Sequence, residues 1–146
     1  MGANEGEKMS ELEAILKTLE DYASAYCAKD IEALMHVFDD SEEISVIGTG
    51  EDELCEGRDS VRQLFLRNFA EAKANRFLWG WRNIIISGDC AVVSVSLTID
   101  VDYQGEQLLI PIRWSVVLKK TDRWRWIHRH ASSASVSQEE GEAYPK

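Results

Sequence analysis

The sequence predicts an α+β protein in which three helices precede a meander of antiparallel strands. Apolar residues recur at helical spacing up to about Ala74, and from there to Ser132 the period is two. The strands of this second part are separated only by Ser87-Gly88-Asp89, Gln104-Gly105 and Thr121-Asp122. Connections that short join antiparallel neighbours.

Ser10 and Glu13 form a capping box at the start of the first helix. Leu12, Ile15, Leu16, Leu19, Tyr22, Ala23 and Tyr26 make its apolar stripe, which runs to about Ala28. Asp30 is a suitable N-cap for a short second helix carrying Ile31, Leu34, Met35, Val37 and Phe38. Ile44 to Ile47 reads as a short strand, and the glycine-rich, acidic stretch Gly48 to Gly57 as a loop without a role. A third helix from Arg58 buries Val61, Leu64, Phe65, Phe69 and Ala72. Four strands follow near 76–87, 90–102, 107–119 and 123–133.

A chain of 146 residues makes a single domain, expected over 10–134, with a frayed stretch at 1–9 and a mobile acidic tail at 135–146. The first ten residues hold no apolar run for a signal sequence or membrane span, and Gly6 stands where a myristoylation motif wants Ser or Thr. Cys27, Cys55 and Cys90 are odd in number and widely spaced, so reduced thiols in the cytoplasm are expected. Net charge is −10, with 17 acids against 4 bases in residues 1–59 and 9 against 12 in residues 60–146. That balance argues against nucleic acid as a partner and leaves the second half able to hold a small anion.

Two-residue turns at Gln104-Gly105 and Thr121-Asp122 would set Ser96 opposite Arg113, Arg113 opposite His130 and Ser115 opposite His128. One face then collects Ser94, Ser96, Thr98, Arg113, Ser115, His128, His130 and Ser132, with Val92, Val117 and Trp126 at its apolar end. The other collects Val93, Val95, Leu97, Ile99, Val101, Leu108, Ile110, Ile112, Trp114, Val116, Leu118 and Ile127, and is too apolar to leave in water. The expected arrangement closes the helices over the mixed face, leaving a cavity, and packs the apolar face against a second copy as a homodimer. The reverse, with the helices on the apolar face and the polar face in solvent, is the alternative. In the strand at 76–87, a two-residue turn at Gly88-Asp89 sends Phe77, Trp79, Trp81 and Asn83 to the mixed face. A three-residue turn sends Arg82 there instead.

Several features together resemble the nuclear transport factor 2-like superfamily. They are two helices, a strand with Ile47-Gly48-Thr49-Gly50, a helix opening at Gly57-Arg58, and a meander ending Trp124…His128-Arg129-His130-Ala131-Ser132. Within that superfamily the likeness is to SnoaL-like polyketide cyclase and ketosteroid isomerase-like domains. The ending is also similar to the calcium/calmodulin-dependent protein kinase II association domain. The resemblance covers about residues 10–133. It implies a cystatin-like cone of curved sheet wrapped around helices, commonly dimeric, with a cavity at the wide end. Such domains include isomerases, cyclases, dehydratases and modules without chemistry. The isomerases use a pocket carboxylate base, for which Asp100 is the nearest candidate here, though near a strand end.

Arg113 is the expected anchor for a carboxylate or carbonyl, since a buried guanidinium keeps its proton and needs a partner. His128 or His130 would exchange a proton, oriented by Ser115 or Ser132, with Arg113 favouring the neutral imidazole. Ser96 joins this polar end, Trp79, Trp81 and Trp126 supply the apolar wall, and Tyr22 or Tyr26 could donate to a ligand oxygen. For each, structural packing is the competing account. A metal on His128 and His130 would need a third ligand from His36, Asp or Glu and would be repelled by Arg113. No glycine-rich phosphate or dinucleotide motif is present, so no cofactor is expected. The function expected is binding of a small anionic or carbonyl compound, with cofactor-free isomerase- or lyase-like proton transfer if catalytic. The alternative is a non-catalytic association module.

Overall fold

The computed structural model describes residues 9–146, so all but the last residue of the frayed stretch expected at 1–9 lies outside it. Nine elements follow in order: α1 Glu11–Cys27, α2 Ile31–Val37, β1 Ser45–Ile47, β2 Leu54–Glu56, α3 Gly57–Glu71, β3 Lys73–Ser87, β4 Cys90–Tyr103, β5 Glu106–Lys120 and β6 Trp124–Ser132. The six strands form one sheet in the order β2-β1-β6-β5-β4-β3. All neighbours are antiparallel except β1 and β6, which run parallel with Ser45 abreast of His128.

The helix starts follow their local chemistry. Ser10 Oγ accepts from the Glu13 amide at 3.1 Å and donates to the Glu13 carboxylate, so Glu13 takes the hydroxyl rather than completing a reciprocal capping box. Asp30 caps α2 by accepting from Ala33 N–H at 3.0 Å. No side chain of its own first turn caps α3; Glu42 reaches across and accepts from Arg58 N–H at 3.1 Å. The loop expected from Gly48 to Gly57 contains β2, too short and polar to show a period.

At Gln104-Gly105 the expected hairpin forms, both residues at positive φ as a primed turn requires, with Tyr103 opposite Glu106 and Ser96 opposite Arg113. The β5–β6 register differs. The turn holds three residues, so Lys120 faces Trp124, and a bulge at Ile127 shifts the ladder again, so Val117 faces His128. Ser115 therefore lies opposite His130, and Arg113 opposite Ser132. Two one-residue departures restore parity, and Arg113, Ser115, His128 and His130 still share a face, two residues out of the expected register. Before the bulge parity is reversed, so Trp126 points to the opposite face from the one expected.

The helices lie on the apolar face, which corrects the expected arrangement. Val93, Val95, Leu97, Trp114, Val116 and Leu118 are buried in one core with Ile15, Leu19 and Tyr22 of α1 and Val61, Leu64 and Phe65 of α3. Two apolar surfaces in one chain meet each other before either can wait for a partner. Each fully buried side chain is worth about 1.5–3 kcal/mol. The homodimer expected through this face therefore cannot form there, because the face is spent inside the monomer. The mixed face is left open, with Arg113, Ser115 and His130 exposed.

Candidate functional site

The bulge at Ile127 sets the site. After it, Arg129 and Ala131 turn toward the helices, while His128, His130 and Ser132 turn away. Arg129 is only 6% exposed. Its guanidinium carbon lies 5.6 Å from the Trp114 ring centre and 5.8 Å from that of Phe65, an arrangement in which ring faces answer part of the charge. Nη1 donates to the Tyr22 hydroxyl at 3.3 Å. Nε is buried without a hydrogen-bond partner, and among the described residues no carboxylate forms an ion pair with Arg129. A buried cation with unanswered donors is costly unless an acceptor reaches it.

Arg129 lines a cavity of about 520 Å³ between the sheet, the end of α1, α3 and the β1–β2 loop. Ile99, Val101, Leu108, Ile110 and Ile112 form the sheet wall, and Leu64 faces them from α3. Tyr26 and Asn68 add polar atoms near the closed end. Burial pushes the Tyr26 phenol up, with Arg129 opposing, and pushes Tyr22 up further. Both phenols stay protonated at neutral pH and offer donors. Tyr22 also stacks on Trp126 at 4.8 Å and meets Trp114 edge-on at 5.0 Å, which fixes the ring under Arg129.

Asp52, Glu53 and Glu71 stand at the mouth. Glu53 accepts from Gly50 N–H at 2.7 Å and from Arg67 at 3.0 Å, and Arg67 also reaches Asp52 at 2.9 Å. The Glu53 side chain folds over Gly48 and Gly50, and a Cβ on Gly48 would lie 2.5 Å from its carboxylate. The acidic loop that composition left without a role thus forms one wall of the cavity.

The residues expected to make the site are divided. Tyr26 lines the cavity and Tyr22 supports its arginine, while Trp126 is wholly buried and donates to Thr18 Oγ1 at 2.8 Å. The two-residue turn at Gly88-Asp89 forms, with Ser87 opposite Cys90, but a bulge at Gly80-Trp81 splits that strand's aromatics. Trp79 packs on Trp114 at 5.8 Å under the helices, Trp81 stands on the open face, 65% exposed, and Arg82 pairs with Val95. Trp81, Ser96, Arg113, Ser115 and His130 do meet, in a separate hollow of about 320 Å³ on the open face. Arg113 there is exposed, which removes the burial that made it an anchor. His128 is positioned by Ser45, whose Oγ lies 2.7 Å from Nδ1, not by Ser115 or Ser132. Burial chiefly, then His130 and Arg129, hold its pKa below the ordinary range. Asp100 lies outside the cavity, hydrogen-bonded by Gln107, Asn75 and Arg76, with its pKa lowered chiefly by the Gln107 amide. Among the described residues no group of three His, Cys, Asp or Glu could hold a metal ion.

A family model for the SnoaL-like domain matches residues 15–136. The chain belongs to the SnoaL-like domain family. Known structures share the fold of this SnoaL-like domain at low identity. One is a protein of the nuclear transport factor 2-like family from Streptomyces avermitilis, provisionally named a dehydratase. It is 18% identical with a TM-score of 0.74, covering 86% of this chain and 98% of that one. A second is a nuclear transport factor 2-like protein with a cystatin-like fold from Novosphingobium aromaticivorans, 17% identical with a TM-score of 0.71, covering 91% and 84%. A third, from Thiobacillus denitrificans, is provisionally named a calcium/calmodulin-dependent protein kinase type II association domain. It is 18% identical with a TM-score of 0.70, covering 81% and 93%. No curated protein matches the chain.

Proposed function

We propose that this SnoaL-like domain binds a small, partly apolar molecule bearing a carboxylate or carbonyl, with Arg129 rather than Arg113 as the anchor. The carrying observation is the buried guanidinium, unpaired by any carboxylate and with Nε unpartnered among the described residues, in the lining of an apolar-walled cavity. Tyr26 adds a second donor to the ligand oxygen. If the bound compound is turned over, Glu53 of the cavity lining would take a proton from it while Tyr26 and Arg129 hold the developing oxyanion, an isomerase- or lyase-like step. The three free thiols fit a cytoplasmic setting.

The test is thermal unfolding of the parent and an Arg129→Gln variant against a panel of small carboxylates and ketones. Ligands that raise the parent's midpoint are expected to leave the variant unmoved. Equal stabilisation of both proteins rejects the anchor.

A second reading, an association module, rests on the open face, where Trp81, Ile85 and Leu109 are 65%, 58% and 61% exposed. The two readings use opposite faces of the sheet and are compatible.

A further inference from the structure

The cavity is electrically lopsided. Its buried part holds two groups that are donors at neutral pH, the Arg129 guanidinium and the protonated Tyr26 phenol, with the Tyr22 hydroxyl behind Arg129. Its mouth carries Asp52, Glu53 and Glu71. Arg67 answers Asp52 and Glu53 with a single charge, and Glu71 has no ion-pair partner among the described residues. The mouth is therefore net negative and the base positive.

The spacing is short. Ile47 is abreast of His130, so Gly48, whose N–H bonds the Glu53 carbonyl, comes level with Ala131. That is two residues, on the order of 7 Å, along the strand from Arg129. Tyr26, beside Arg129, also feels the Glu53 and Glu71 carboxylates, so the two poles are near each other. Beside them the cavity wall is aliphatic, formed by Ile99 of β4 and Ile110 and Ile112 of β5.

Resting on the binding role above, we propose that the ligand class is an amphoteric monocarboxylate: an acid group for Arg129, a short apolar spacer, and a cationic group facing the acidic mouth. Dicarboxylates are disfavoured because their second charge meets Asp52, Glu53 and Glu71. A ligand with an uncharged tail fills the wall but leaves the mouth unanswered.

Three probes of similar length separate the cases: hexanoate, 6-aminohexanoate and adipate, titrated into the 146-residue chain and followed by NMR of the tryptophan indole N–H signals. The expected result is 6-aminohexanoate binding about 1.5- to fivefold tighter than hexanoate, with adipate weaker than both, the range being that of rim charge pairs. Salt should narrow the spread. Glu71→Gln, an exposed change on the last turn of α3 that spares the core, should bring 6-aminohexanoate and adipate closer together. Hexanoate binding that is lost in Arg129→Gln, with no preference for 6-aminohexanoate, overturns the ligand class and leaves the anchor standing. Binding of none of the three at millimolar concentration overturns both.

Discussion

Arg129 carries a full charge in a setting built from Tyr22, Phe65 and Trp114 rings, and such a group is retained at a cost to stability. Replacing a buried, incompletely answered charge by an apolar side chain of similar length is neutral or stabilising by roughly 1–4 kcal/mol. Arg129→Met is therefore expected to unfold at or above the parent's denaturant midpoint while losing ligand stabilisation. A marked drop in midpoint would make Arg129 a structural residue. His128 supplies the pH dependence. Its folded pKa lies below the unfolded value of about 6.5. Between those values the unfolded chain binds more protons, so this contribution is intact above about pH 6.5 and is lost as pH falls through the folded pKa. His128→Gln should flatten stability between pH 7 and the onset of carboxylate titration, measured by denaturant midpoints. An unchanged slope would show that the burial of His128 does not contribute to the pH dependence.

At the scale of elements, β6 decides which side chains enter the cavity. Its sequence alternates without a break from Trp124 to Ser132, and read that way Arg125, Ile127 and Arg129 share a face opposite both tryptophans. The bulge at Ile127 instead puts Trp126 and Arg129 on the same side. No residue type marks such a bulge in the sequence: it is imposed by the parallel pairing with β1 and the packing of Trp126 under α1, both long-range. Long periodic elements were legible, as was the Gln104-Gly105 register, because turn chemistry is local. Helix placement was not, because each apolar stripe has several possible mates and only the tertiary sum selects one. The acidic loop's position at the cavity was hidden for the same reason. Gly48→Val would drive a side chain into the Glu53 carboxylate, so it should weaken ligand binding several-fold while costing little in the helix-to-sheet core. Paired binding and unfolding measurements check this, and an equal loss of both would tie the loop to the core instead.

At the scale of the whole molecule, the sheet separates two tasks. Its helix-covered face holds the core and the cavity, and its open face carries Trp81, Ile85 and Leu109 among Ser94, Ser96, Arg113 and His130. Apolar side chains of that size rimmed by polar ones are the composition of a protein-binding surface. An open sheet face can also meet its own copy with two-fold symmetry. We expect a homodimer in solution, formed through the face opposite to the one that patterning first suggested. A Trp at the centre of such a patch is the residue type whose loss costs most, about 2 kcal/mol or more per copy. Trp81→Glu places a charge there in its stead. Because Trp81 is exposed and stands outside the buried core, the monomer's core should keep its unfolding transition while sedimentation shifts from dimer to monomer. Ligand binding at Arg129, on the other side of the sheet, should survive that dissociation. A parent protein that sediments as a monomer at micromolar concentration, or a Trp81→Glu protein that remains dimeric, would rule the open face out as the contact.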